Sequence, residues 1–363
     1  MLGMQCIYDV TTEELVAWLE ARGQPAYRAK QILEGVYRHR VASFASLSAL
    51  PRWLRQELAA EFEVGGLPVV RRWDGEDSLK LLVALGDGEM VECVGMRTRW
   101  GETACVSCQV GCAMGCAFCA SALGGYRRNL TASEIVRQVI SLEAAGARIS
   151  NIVFMGMGEP LLNYDQVLSA IHTFVAPDRM AISPRHITVG TCGIVPAIRR
   201  LARDAPRRVE LAVSLNAPTD DLRRKLMPGA AKWRLAELLE ACDFWTEARG
   251  GQPVTYAYVL LRGVNDAPSH ADELAKLLAG RRHLVNLIRM NPVEGCQLTA
   301  SSKARTLAFA RRLQDQGISV TLRRSRGKDV RAACGQLRRH DDQARASCQG
   351  KLYPVGLRAK KQQ

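Results

Sequence analysis

The stretch Cys112-Ala113-Met114-Gly115-Cys116-Ala117-Phe118-Cys119 decides how the chain reads, because three thiols recur there at C-x3-C-x2-C spacing. Cysteine thiolates hold iron–sulfur clusters, and a cubane normally takes four of them. No fourth cysteine follows at a standard spacing. The pattern therefore predicts a cluster with one iron left open, as catalytic metal sites keep an open position. Phe118, between the last two thiols, is placed to shield such a cluster from water. Structural zinc is the alternative, although zinc sites usually add a second Cys or His pair, and none follows closely. Cys108, four residues before Cys112, leaves a further choice between a fourth ligand and a small buried thiol.

Outward from this stretch the chain changes character. From Thr103 it alternates strand, glycine loop and helix. Thr131-Ala132-Ser133-Glu134 is a capping box that opens a helix through Ala145. Strands are predicted at 152–155, 186–191, 209–216, 254–261, 284–290 and 318–324. Helices are predicted between them, at 167–175, 196–203, 235–248, 271–278 and 303–316. Alternation at these lengths predicts an α/β fold with a parallel sheet closed or partly closed into a barrel. An open doubly wound sheet is the rival, and both put ligands at the C-terminal ends of the strands.

Upstream, residues 66–100 alternate apolar and polar side chains, with turns at Asp74-Gly75 and Gly86-Asp87-Gly88, and read as a small antiparallel β segment. Residues 1–65 read as short helices. Thr11 and Glu14 form a capping box, and a second helix from Ala26 offers Arg28, Lys30, Arg38 and Arg40 as a basic face. A third helix begins at Pro51. The expected division is a helical accessory unit at 1–65, whose basic face is a candidate RNA contact, the β segment at 66–100, a barrel at 101–345 and a basic polar tail at 346–363.

Composition narrows the classes. With 363 residues, 47% of them hydrophobic, the chain can bury a large core and does not read as disordered. Twelve cysteines are too few for a disulfide scaffold of this length. No apolar run approaches the roughly 18 residues that span a bilayer. The first residues also lack a basic-then-apolar signal, so a cytoplasmic monomer without membrane contact is expected. Fifty Lys and Arg against 36 acids give a net charge of +14, which favours a polyanionic partner such as nucleic acid.

Several polar or glycine-rich turns fall at strand ends: Gly156-Met157-Gly158-Glu159-Pro160, Thr188-Val189-Gly190-Thr191-Cys192-Gly193, Ser214-Leu215-Asn216-Ala217-Pro218 and Met290-Asn291-Pro292. Glycines admit a ligand close to the backbone, and Glu159 offers a carboxylate to an amine. Read alone, Cys334 is more simply a buried thiol, and Glu92 an outward-facing acid on an alternating strand. Three stretches together carry more: Cys105-Val106-Ser107-Cys108-Gln109-Val110-Gly111-Cys112, Cys119-Ala120-Ser121-Ala122-Leu123-Gly124-Gly125 and Arg128-Asn129-Leu130-Thr131. With Arg326-Gly327-Lys328-Asp329-Val330-Arg331-Ala332-Ala333-Cys334-Gly335-Gln336-Leu337, they resemble the RlmN/Cfr group of radical S-adenosylmethionine (SAM) RNA methyltransferases, and RlmN more closely. The resemblance runs from about Tyr27 to Leu337.

The resemblance implies a partial (β/α) barrel of radical SAM type with an N-terminal helical domain. It implies a [4Fe-4S] cluster on Cys112, Cys116 and Cys119, with Cys108 not a ligand. SAM, two per turnover, would be bound by Gly158, Glu159, Gly190, Ser214, Leu215, Asn216 and Asn291. Gly190 stands where the family usually has Ser, and Asn216 where it has His. Cys334 would carry a methyl group, Cys105 would resolve the RNA adduct through a transient disulfide, and Glu92 would move a proton. The implied reaction methylates adenine C2 in 23S rRNA at the peptidyl transferase centre, with the anticodon-adjacent adenosine of tRNA as a second candidate. Adenine C2 is electrophilic, so polar attack on SAM is unfavourable and radical chemistry answers the need. An electron donor such as flavodoxin or ferredoxin is implied. The alternatives are methylation at adenine C8, a zinc protein that binds nucleic acid without catalysis, and a ferredoxin-like electron carrier.

Overall fold

The computed structural model describes residues 4–99, 101–323, 326–327 and 329–337. The tail expected at 346–363 and Lys328 of the last motif lie outside the described residues. A short strand β1 (Gln5–Cys6) leads into helices α1 (Thr12–Glu20), α2 (Tyr27–Tyr37) and α3 (Arg52–Glu61), then pairs in parallel with β2 (Phe62–Glu63). The α1 box closes as its sequence predicts: Glu14 N donates to Thr11 Oγ1, and Thr11 N donates to the Glu14 carboxylate. Leu15, Leu19, Ile32, Val36, Leu54 and Leu58 are fully buried, so each helix turns one apolar stripe inward.

An antiparallel meander follows, β3 (Val69–Asp74), β4 (Ser78–Ala84) and β5 (Met90–Thr98). Next comes β6 (Gly101–Cys105), and after it β7 (Gln109–Gly111), α4 (Ala120–Leu123) and β8 (Tyr126–Asn129) frame the cysteine loop. The remainder alternates α5 (Ala132–Ala144), β9 (Ile149–Phe154), α6 (Tyr164–Val175), β10 (Ile187–Thr191), α7 (Val195–Asp204) and β11 (Glu210–Ser214). It continues with α8 (Asp220–Leu226), α9 (Leu235–Ala248), β12 (Val254–Leu260), α10 (Pro268–Leu278), β13 (His283–Arg289), α11 (Lys303–Gln314) and β14 (Val320–Arg323). The α/β alternation and the parallel sheet read from the sequence are both present.

Two points differ from the sequence reading. The meander is not a separate sheet. Strand β6 pairs antiparallel with β5 and parallel with β9, giving one ten-stranded sheet in the order β14-β13-β12-β11-β10-β9-β6-β5-β4-β3. Five residues with only two buried give β6 too short an alternation to read locally. The barrel is partial, as the resemblance implies, and β14 and β3 are the edges of the sheet. Arg40 does not serve an open basic face: it pairs with Glu143 of α5 and braces the helical unit against the barrel.

A second brace is buried. Arg137 of α5 donates to Glu63 Oε1 at 2.7 Å, to Gly65 O at 3.0 Å and to Gly66 O at 3.1 Å. Hydrogen bonds to a charged group contribute about 1.5–3 kcal/mol each, less where one partner stays wet as Glu63 does. Replacing Arg137 with Ala leaves two carbonyls without their donor. We expect a loss of about 2 kcal/mol in urea unfolding, with earlier proteolytic release of the helical unit than in the parent.

Candidate active site

Side chains on a strand alternate between its two faces, and here the alternation divides core from cavity. On β12, Val254, Tyr256, Tyr258 and Leu260 are buried in the core, whereas Thr255, Ala257 and Val259 line a cavity of about 430 Å³. Thr188 and Gly190 of β10, Ala212 and Ser214 of β11, and Asn286 and Ile288 of β13 point into the same cavity. Period two also removes one expected contact. Ser214 and Asn216 face the cavity, so Leu215 between them does not; it is fully buried and its N–H donates to Ala257 O at 3.0 Å.

Cys112, Cys116 and Cys119 all line this cavity. Burial pushes the Cys112 thiol up to about 11, and the neighbouring Cys119 adds to the rise. Burial and the neighbouring thiols also raise Cys116, and burial raises Cys119. Such desolvated thiols release their protons to a cationic metal, since metal ligation requires the thiolate. Cys108 is turned elsewhere: it is buried, donates to Met157 O at 3.5 Å and does not line the cavity. Among the described residues no three His, Cys, Asp or Glu are gathered around one ion-sized point. A cubane, with each thiolate on its own iron, needs a wider spacing than that. Three thiols lining one cavity fit a cubane with one iron open.

The loop after β9 approaches closely. Gly158 has φ +101°, and a Cβ there would fall 2.6 Å from Gln109 Cβ, so the turn needs glycine. Glu159 is buried, which raises its pKa. Its Oε1 accepts from Thr191 Oγ1 at 2.7 Å and from Leu161 N at 3.0 Å, and its Oε2 accepts from Cys192 N at 2.7 Å. The Cys192 thiol also hydrogen-bonds this carboxylate, and Glu159 lines the cavity where a ligand amine would meet it. At Gly190 a Cβ would meet Met155 Cγ at 2.8 Å, so the Met155 side chain fills the space a serine would take. Asn216 sits at φ +57°, a region Asn tolerates. Its Oδ1 accepts from Val259 N at 2.8 Å. Asn291 donates to Cys334 O at 3.2 Å, while its Oδ1 is buried at the cavity without a hydrogen-bond partner among the described residues. That orphaned acceptor fits a ligand bearing amino groups, as SAM does.

Cys334, the one exposed cysteine among the described residues, lies on a loop pinned from several sides. Ala120 N donates to Gly335 O at 2.7 Å and Ser121 Oγ to Leu337 O at 2.7 Å, tying it to the cysteine loop. Arg326 pairs with Asp77 at 3.1 Å, and Glu76 N donates to Asp329 at 2.9 Å, tying it to the turn between β3 and β4. Cys334 lines both the thiol cavity and a second cavity of about 360 Å³ that holds Cys105. Burial pushes Cys105 up to about 12; nearby Cys334 adds to the rise and the Arg323 guanidinium opposes it.

Glu92 is not the outward-facing acid of the simpler reading: it is 1% exposed and paired with Lys80 Nζ at 3.0 Å. It lines a third cavity, of about 1150 Å³, with Trp73 and Arg331. Val94 stands opposite Cys105 across the β5–β6 ladder, so Glu92, two residues away, shares the Cys105 face. Sequence reasoning gave no role to Arg323, which lines both smaller cavities. Its position at the end of the last strand was the available signal. Thr191, which holds Glu159, was likewise quoted in its stretch without a role.

Comparison with known proteins agrees with this architecture. Residues 106–278 match the radical SAM superfamily model, and residues 6–64 match the ribosomal RNA large subunit methyltransferase N-terminal domain. The chain is 45% identical to a probable dual-specificity RNA methyltransferase RlmN of Symbiobacterium thermophilum, over 93% of this chain and 92% of that one. It is 47% identical to the Moorella thermoacetica protein of the same description, over 90% and 94% respectively. A crystal structure of a radical SAM methyltransferase from Sphaerobacter thermophilus superposes with a TM-score of 0.87 at 42% identity, covering 92% of this chain and 99% of that one. No helix among the described residues is long and apolar enough to cross a membrane.

The geometry separates the four neighbouring cysteines experimentally. Anaerobically purified Cys108→Ser should retain iron and sulfide at the parental level. Cys112→Ala, Cys116→Ala and Cys119→Ala should each lose most of both, together with the visible absorbance.

Proposed function

The chain belongs to the RlmN family of radical SAM RNA methyltransferases, and from that membership we propose that it methylates C2 of an adenosine in 23S rRNA, at the peptidyl transferase centre, and the adenosine beside the anticodon in tRNA. The observation that carries this reading is that Cys334 lines both the thiol cavity and the cavity of Cys105. One thiol thus reaches a methyl source on one side and a second thiol on the other.

In this reading Cys112, Cys116 and Cys119 hold a [4Fe-4S] cluster, and Gly158, Glu159, Gly190, Ser214, Asn216 and Asn291 bind SAM, used twice per turnover. The bound cluster and SAM supply the electron and the carbon radical that activate a methyl group. Cys334 Sγ would carry that methyl group, give up one of its hydrogen atoms to the radical and deliver its carbon to the base, which would lose its C2 proton and return one electron to the donor, leaving a C–S bond between protein and RNA. Cys105 Sγ then attacks Cys334 Sγ. The S–S bond forms, the S–C bond breaks, and its electron pair stays with the carbon that becomes the new methyl group. Glu92, held by Lys80 on the Cys105 face, moves the proton this release requires. The disulfide is transient and is reduced for the next turnover, as catalytic disulfides in the cytosol are. The helical unit at 1–65 serves as an accessory RNA-binding domain beside the β segment and the barrel. A flavodoxin or ferredoxin is the proposed reductant of this cytoplasmic monomer.

Mass spectrometry of nucleosides tests the reaction directly. Unmodified 23S rRNA and tRNA incubated anaerobically with reconstituted protein, SAM and a reductant should yield 2-methyladenosine; 8-methyladenosine would transfer the protein to the Cfr-type reaction. Cys334→Ala should form no methylated base, and Cys105→Ala should accumulate a covalent RNA adduct. Normal release of methylated RNA by Cys105→Ala would sink the two-thiol scheme. Only the thiolate of Cys105 attacks, and its pKa is raised, so adduct release should quicken with pH from neutrality into the alkaline range. Arg323→Met removes the opposing positive charge and should raise that pKa further, slowing release roughly tenfold at a fixed pH for a cost of about 1.4 kcal/mol.

A further inference from the structure

The far end of the barrel carries a second, unassigned feature. Four neighbouring parallel strands, β10 to β13, begin there, and the segment entering each one brings arginine: Arg185 before β10, Arg207 and Arg208 before β11, Arg249 before β12 and Arg282 before β13. These five line one cavity of about 620 Å³, and Glu210 is its single acid. The N-terminal face of such a barrel ordinarily serves stability, which favours paired charges. Here Arg185, Arg207, Arg208 and Arg282 have no carboxylate partner among the described residues. Some exposed arginines elsewhere are paired, Arg200 with Asp165 and Asp204 and Arg312 with Asp272, and others such as Arg52 and Arg262 stand singly among the described residues; here four arginines without a carboxylate share one mouth.

The cluster is built at some cost. Burial lowers the pKa of Arg249, and the neighbouring Arg207 cation lowers it further. The Arg282 guanidinium lies directly on the backbone of Gly251, where a Cβ would fall 2.3 Å from Nη1. Arg208 holds φ +72°, a left-handed conformation uncommon outside glycine. Arg249 has a structural duty, donating to Ala205 O at 2.8 Å and to Pro206 O. Arg185 Nε donates to the neighbouring His186 Nε2 at 3.2 Å; its other nitrogens and the guanidiniums of Arg207, Arg208 and Arg282 have no carboxylate among the described residues and face the mouth.

We propose that this arginine-lined mouth is a second RNA contact, which takes the phosphodiester backbone of the RNA substrate at a distance from the methylated base. Five cations against one acid exceed what a single free phosphate neutralises, whereas a polynucleotide brings one charge per nucleotide. No aromatic side chain lines the mouth, so it holds phosphates and does not read bases. Strands of five to seven residues separate it from the thiol end by about 20 Å. An RNA engaged at both ends must therefore wrap the barrel. This inference rests on the RNA methyltransferase reading above.

The test is binding of unmodified tRNA and of a 23S rRNA fragment to full-length reconstituted protein between 50 and 200 mM salt, about the range in which phosphate contacts dominate. The triple variant Arg207→Gln, Arg208→Gln, Arg282→Gln leaves Arg249 and its carbonyl contacts in place, and its thermal melt serves as the folding control. Arg282→Lys keeps the charge and should bind as the parent does. The triple variant should bind RNA about tenfold more weakly, lower the salt slope by about one per lost contact, and keep its kcat at saturating RNA. An unchanged affinity and slope, with the parent binding and methylating RNA normally, overturns this inference alone. A parent that binds neither RNA overturns the function as well. Parental RNA affinity in the triple variant, with only inorganic phosphate binding lost, marks a small-anion site and also overturns it.

Discussion

The pairing of β6 on both of its edges is the constraint on which the site depends. Its five residues pair antiparallel with β5 and four of them pair parallel with β9, joining the meander to the barrel. The Val94–Cys105 pair places Glu92 and Cys105 on one sheet face, and the Cys105–Val153 pair places Cys105 beside the lip of the thiol cavity. A one-residue slip on either edge would send Cys105 to the opposite face, because side chains alternate with period two.

The Cys334 loop closes the same arrangement from the far end of the chain. Irregular segments hold a conformation only when their polar groups find partners. This loop finds them on the cysteine loop, on Asn291 and on the turn between β3 and β4. The exposed thiol is therefore carried on an anchored backbone between two cavities. Precise placement of a reactive sulfur against two partners requires that anchoring more than it requires a buried thiol.

The two departures from the family pattern have local physical accounts. At position 190 the Met155 side chain occupies the volume that a larger residue would need. At position 216 an Asn accepts the left-handed backbone, and its amide receives Val259 N, so the turn is held by the side chain that replaces histidine.

By itself the sequence determined the local features. Capping residues and apolar periodicity set α1, α5 and the barrel helices, with Leu235–Ala248 read at both ends. The C-x3-C-x2-C spacing set the three cavity thiols, because neighbours in sequence reach a common centre through one short loop. Tertiary structure alone decided what depends on distant partners. It paired Glu92 with Lys80 across strands, turned Leu215 away from the cavity, spent Arg40 on Glu143, and set Arg323 between the two thiol-bearing cavities. It also gathered five arginines from four separate strand entries at one mouth. Such groups are brought together by strand order, and strand order leaves no periodic mark on the short segments that supply each residue.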